Sequence, residues 1–123
     1  FHWIGKSDTV YVFEAPIDML SFISMYQKDW MEHSYVALCG VAEHALVQLL
    51  EDVPHLSKIA LCLDHDKAGI EAGERIKRRL SERGYGNVFP LFSYQKDWNE
   101  DLQALQKLPP ESIVERQTVM QMM

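Results

Sequence analysis

The chain has 123 residues, with 12 Lys and Arg against 18 Asp and Glu, for a formal charge of −6. With 47% hydrophobic and 24% charged residues it is one domain's worth of polypeptide able to build its own core, which excludes an intrinsically disordered chain. The acidic balance excludes a generic polyanion-binding surface, because nucleic-acid affinity is dominated by Lys and Arg neutralising phosphates.

The sequence begins at Phe1 rather than Met and is expected to be a segment of a longer protein. Thr9-Val10-Tyr11-Val12-Phe13 is β-branched and aromatic and predicts a buried strand. Pro16 suits the first turn of a helix, which Ile17, Leu20, Phe22, Ile23 and Tyr26 continue. Tyr35 to Cys39 reads as a second strand ended by Gly40, and Ala42 to Leu50 as a helix closed by Pro54. Ile59 to Leu63 is a third strand, followed by a long helix from Lys67 to Arg83, with Gly84 as its stop. Asn87 to Phe92 is a fourth strand, and Glu100 to Leu108 a short helix before Pro109-Pro110.

Apolar strands alternating with helices imply a parallel sheet covered on both faces. The expectation is a compact, Rossmann-like α/β domain of four strands over residues 1–108, with 109–123 as a C-terminal tail. Cys39 and Cys62 sit in apolar runs, which speaks against a disulfide scaffold or a zinc site and for a reducing, cytoplasmic setting. No apolar run reaches the roughly 18 residues of a membrane span, and the amino terminus lacks a secretory layout, so no membrane partner is expected. Tyr26-Gln27-Lys28-Asp29-Trp30 recurs as Tyr94-Gln95-Lys96-Asp97-Trp98, but the flanks differ and no repeat unit is implied.

In an open parallel sheet, ligands bind outside the carboxyl ends of the strands. Here the first strand runs into Glu14 and the third into Asp64-His65-Asp66, while Lys96-Asp97-Trp98-Asn99-Glu100-Asp101 follows the fourth. Carboxylates gathered without basic partners repel one another and have raised pKa values, and a hard divalent cation with oxygen ligands relieves that. Capping accounts for single acids at helix starts: Asp64 or Asp66 can cap the helix from Lys67, and Asp18 lies in a first turn. It does not account for an acid ending the first strand as well as a pair ending the third. Such cation sites serve phosphoryl or nucleotidyl transfer.

Glu14-Ala15-Pro16-Ile17-Asp18 after one strand, Gly40 after a second, and Asp64-His65-Asp66-Lys67-Ala68-Gly69 after a third resemble the signature of the Toprim domain. DnaG-type primases, topoisomerases and OLD-family nucleases share that domain. The resemblance spans residues 8–101, and Lys96-Asp97-Trp98-Asn99 is most similar to Toprim-like domains in large mobile-element proteins. It implies a Mg²⁺ site (Mn²⁺ as substitute) held by Glu14, Asp64 and Asp66, with Glu14 also as general acid/base and Asp18 orienting the site. It further implies supporting roles for Gly40, Gly69, Lys96 and Asp97. The implied activity is metal-dependent nucleotidyl or phosphodiester transfer on DNA or RNA, primase-like, with nucleotides and other domains of the parent protein as partners. The family usually has Gly where Ala15 stands, and a positive φ there would disfavour Ala.

For Glu14 and Asp64 to share a cation, strands one and three must be neighbours, which gives the order 2-1-3-4. Cys39 and Cys62 then lie roughly 9–10 Å apart, too far for a disulfide. Arg75, Arg78 and Arg79 face outward on the third long helix and read either as a DNA-backbone contact or as a solvated face partnered by Glu71, Glu74 and Glu82. Two other functions fit parts of the pattern. A receiver-type phosphoacceptor needs an acidic pair at the first strand and a fifth strand, neither of which is found. A non-catalytic Toprim-like module binding DNA or protein would keep the motif for structure alone.

Overall fold

The computed structural model describes residues 1–40 and 43–107. Its elements in chain order are β1 (His2–Trp3), β2 (Thr9–Phe13), α1 (Pro16–Met25), a 3-10 turn (Trp30–Glu32), β3 (Ser34–Ala37), α2 (His44–Asp52), β4 (Lys58–Leu61), α3 (Lys67–Glu82), β5 (Asn87–Pro90) and α4 (Trp98–Leu105). They build one five-stranded sheet in the order β1-β3-β2-β4-β5. The four strands expected from the sequence are all parallel and lie in the expected order, with Val10 opposite Ser34 on one side and Ile59 on the other.

The sequence reading is corrected on strand number. A short antiparallel strand, His2–Trp3, pairs with Tyr35 and Val36 at the β3 edge, so the sheet is mixed and five-stranded. Two residues are too few to show alternation, and the main chain makes the pairing, including Ala37 N–H to the Phe1 carbonyl at 2.9 Å. The α4 helix starts at Trp98 rather than Glu100. The expected start of the second helix at Ala42, the end of the last helix at Leu108 and the tail 109–123 lie outside the described residues.

Strand alternation divides the core. Val10, Val12, Val36, Ile59, Leu61 and Val88 point to one face and pack with Leu46, Leu50, Ile76 and Leu80 of α2 and α3. Phe13, Tyr35, Ala37, Ala60 and Cys62 point to the other and meet Phe22, Met25 and Tyr26 of α1 and Trp98 and Leu105 of α4. Full burial of each large apolar side chain stabilises by about 1.5–3 kcal/mol, so both layers hold the sheet. Cys39 and Cys62 are both free. No described helix is long and apolar enough to cross a membrane.

Candidate metal centre

The chain passes from β2 to β3 on one side of β2 and to β4 on the other, so a topological switch point lies between β2 and β4, where strand ends open a crevice. Glu14 emerges there straight from β2. Ala15 caps α1 with φ −132° and ψ 150°, ordinary extended backbone, so its Cβ costs nothing and no glycine is required. Pro16 opens the helix with φ fixed and no N–H to satisfy. One turn in, Asp18 is buried, and its carboxylate accepts the Asn99 N–H at 3.2 Å. The Ser21 hydroxyl, also buried, donates to the Ile17 carbonyl at 2.7 Å and lies 3.3 Å from the Asn99 side-chain oxygen, tying α1 to α4 beside Asp18.

The turn after β4 is built differently. Asp66 caps α3, its Oδ1 accepting the Gly69 N–H at 2.8 Å. Gly69 permits the tight approach: a Cβ there would overlap the Asp64 carbonyl oxygen. His65 is exposed. Its backbone N–H donates to the Lys96 carbonyl at 2.6 Å, its Nδ1 lies 2.8 Å from the Ser93 carbonyl, and its ring stacks on Phe92. These contacts stitch the Asp64–Asp66 turn to the segment leading into α4.

That segment is fastened by acids. Asp97 caps α4 by accepting the Glu100 N–H at 2.8 Å, and Glu100 accepts the Lys96 N–H at 3.1 Å. Asp101 is fully buried and accepts the N–H groups of Tyr94 at 2.9 Å and Gln95 at 2.7 Å. The Trp98 ring, also fully buried, donates to the Cys62 carbonyl at 3.0 Å and meets Phe22 edge-on. Sequence reasoning assigned no role to Ser21, Asn99 or Asp101. The available signal was Asp97-x-x-Glu100, the spelling of a helix start, which places Trp98, Asp101 and Leu105 on one helical face.

One carboxylate oxygen each from Asp18, Asp64 and Asp97 lies within 4.8 Å of the others. Glu14 and Asp64 share a side-chain hydrogen bond. Burial, that bond and the charges of Asp64, Asp66 and Asp18 push Glu14 up to about 7. Burial pushes Asp18 up to about 6 despite the Asn99 N–H, with Asp97, Asp64 and Glu100 adding to the rise. Asp64 is also raised, chiefly by burial. The ion pairs among the described residues join Arg75 and Arg79 to Glu43 and Arg83 to Glu51, and none reaches these acids. Converging oxygens, raised proton affinity and no basic partner within ion-pair distance form a donor set suited to a hard divalent cation.

The structure gathers Asp18, Asp64 and Asp97; of the expected ligands Glu14, Asp64 and Asp66, Asp64 is in that trio, Glu14 lies beside it, and Asp66 caps α3. Gly40 follows β3 with φ 76°, a left-handed conformation that favours glycine. Of the outward arginines, Arg75 and Arg79 bind Glu43 at 2.5 and 3.6 Å. Their partner comes from the segment before α2 rather than from the glutamates of their own helix, because α2 and α3 lie side by side on one face of the sheet.

A mostly parallel α/β sheet with a carboxylate cluster at its switch point defines the class of open α/β domains. Within that class the chain belongs to the Toprim-like family, whose model matches residues 11–102. Two curated relatives are the uncharacterized protein MG010 of Mycoplasma genitalium, 30% identical over 97 residues, and its Mycoplasma pneumoniae homolog, 30% identical over 100. The matched stretches cover 77% and 80% of this chain but only 42% and 45% of those proteins, so the chain spans less than half of their length. Among solved structures, the primase fragment of the bacteriophage T7 primase-helicase protein shares the fold at a TM-score of 0.67. The match has 23% identity and covers 94% of this chain and 45% of that one. A putative protein from Aquifex aeolicus aligns at a TM-score of 0.51 with 18% identity, over 85% of this chain and 84% of that one.

Proposed function

We propose that this domain is the divalent-cation-dependent catalytic module of a larger nucleic-acid-processing protein, primase-like, carrying out nucleotidyl or phosphodiester transfer. The observation that carries this reading is the meeting of Asp18, Asp64 and Asp97 within 4.8 Å, with Glu14 hydrogen-bonded to Asp64. Asp64, Asp18 and Asp97 would hold Mg²⁺ or Mn²⁺, with Glu14 and Asp66 beside it. Such an ion supplies charge neutralisation on phosphate oxygens and makes a hydroxyl or water more acidic.

The chain's own groups supply the rest. Glu14, raised to about 7, can both hold and release a proton near neutral pH, as a general acid/base requires. The Asn99 N–H holds Asp18, and Asp97 and Asp66 are held as the caps of α4 and α3. Lys96, next to Asp97 in the segment after β5, would meet a substrate phosphate. The fold likeness to a primase fragment and the family membership support nucleic acid as the substrate.

Calorimetric titration of the chain with Mg²⁺ or Mn²⁺ tests the reading. Saturable one-site binding is expected, with at least a tenfold loss in an Asp64→Asn/Asp97→Asn double variant. Equal heats, or none, in both proteins would overturn it.

A further inference from the structure

A cavity of about 380 Å³ opens on the aromatic face of the sheet, away from the carboxylates. It begins at Thr9 and Lys58, the first residues of β2 and β4. Five residues of extended chain, about 16 Å, separate Thr9 from Glu14. α4 is only eight residues long, and its buried Trp98 lies against the Cys62 carbonyl just past β4, at the other end of this face.

Its walls are rings. Tyr11 and Tyr35 lie nearly parallel, with centroids 5.5 Å apart and planes 18° apart, and Phe22 and Phe89 are among the other lining residues. Lys28 and Lys58 reach the same space, Lys58 lying over the Phe89 ring, against a single carboxylate, Asp29. Neither lysine forms an ion pair among the described residues, whereas Arg75, Arg79 and Arg83 are all engaged. In a chain of net charge −6 this is a local excess of positive charge.

Tyr35 adds an independent observation. Its side chain is 1% exposed, and its hydroxyl has no hydrogen-bond partner among the described residues. No fully enclosed side-chain polar atom among those residues lacks a partner, so this hydroxyl opens onto the cavity it lines. A hydroxyl that opens onto the cavity with no protein partner is left to pair with a ligand atom there. The volume lies in the range of small-molecule sites, which combine apolar rings with a few polar groups.

We propose that this cavity binds a nucleoside 5′-phosphate. Its base lies against Tyr11, Tyr35 and Phe89, a base edge meets the Tyr35 hydroxyl, and the phosphate meets Lys28 and Lys58. Flat rings select a planar aromatic group and the lysines select its anion; one ligand class carries both. The site needs no metal and stands whether or not the carboxylate reading does.

Calorimetry on the 123-residue chain in EDTA, with AMP as the probe, tests it. Saturable AMP binding is expected, with adenosine and inorganic phosphate each at least about tenfold weaker. Lys58→Gln should weaken AMP by about tenfold and Tyr35→Phe by several-fold, both with unchanged circular dichroism. Amide shift mapping should place AMP at Tyr11, Tyr35 and Phe89. The phosphorylated dinucleotide pApA separates the sources: affinity equal to that of AMP means a free nucleotide, and tighter binding means the end of a strand. No saturable AMP binding at millimolar concentration, equal affinity in both variants, or shifts confined to residues 14–18 and 64–66 would overturn the proposal.

Discussion

The two faces of the sheet are built from different residues and do different work. Beneath α2 and α3 the core is aliphatic, filled by Val, Leu and Ile, and of the rim acids only Asp66, the cap of α3, belongs to a helix on this side. Beneath α1 and α4 it is aromatic and sulfur-containing, and polar contacts run through it, from Trp98 to the Cys62 carbonyl and from Asn99 to Asp18. The aliphatic face holds the strands in place. The aromatic face also sets the acids, because the helices that cover it carry Asp18 and Asp97 themselves.

That contrast is sharpest in paired deletions. Trp98→Ala should destabilise the domain by about 3–5 kcal/mol and also weaken Mn²⁺ binding, since Asp97 and Asn99 lose their anchor. Leu50→Ala on the other face should cost about 2–5 kcal/mol in urea denaturation and leave Mn²⁺ affinity unchanged in the folded protein. Equal metal affinity in both variants would break the distinction between the faces.

Asp101→Ala leaves the Tyr94 and Gln95 N–H groups without their carboxylate. It should cost about 2–4 kcal/mol by thermal melting, an effect centred on the aromatic side. Gly69→Ala should cost about 1–3 kcal/mol, because the helix start must retreat from the Asp64 carbonyl, and should weaken metal binding with it.

The pH dependence follows from Glu14 and Asp18, whose folded-state pKa values of about 7 and about 6 lie above the ordinary values of 4.5 and 3.8. The folded state then holds more protons than the unfolded one between about pH 4 and 7. The stability these groups contribute is fully present below the unfolded values and is lost as pH rises through 6 and 7. In EDTA the melting temperature should therefore fall by a few degrees between about pH 5 and 7.5, and Mg²⁺ should restore it at the upper end. A melting temperature that rose over this interval would contradict the shared-carboxylate geometry. Smallest of all, Arg75→Ala should change stability by less than about 1 kcal/mol, since its pair with Glu43 is exposed on the arginine side.

The sequence made the strands and their order legible because β2 to β5 are apolar and strand-end acids are rare without a reason. The same reading picked out Glu14, Asp64 and Asp66 for the cation, and of these Asp64 belongs to the trio. Asp66 and Asp97 were not separable by type or spacing. Both are helix caps, and Asp97 joins the trio because Trp98, thirty-six residues from Cys62, seats α4 against the sheet. A long-range packing contact of that kind leaves no periodic trace. The pentapeptide Tyr-Gln-Lys-Asp-Trp shows the same limit. In its first copy Asp29 is left-handed and Trp30 half-buried, while in its second Asp97 is an extended cap and Trp98 is wholly enclosed. Neighbours, not the five residues, decide the conformation.

The central claim is that Asp18, Asp64 and Asp97 share one cation. An anomalous difference map from crystals of the chain soaked in Mn²⁺ tests it most directly. The account predicts a single strong peak about 2 Å from an oxygen of each of the three carboxylates. A peak elsewhere on the acidic rim, or none at saturating Mn²⁺, would contradict it.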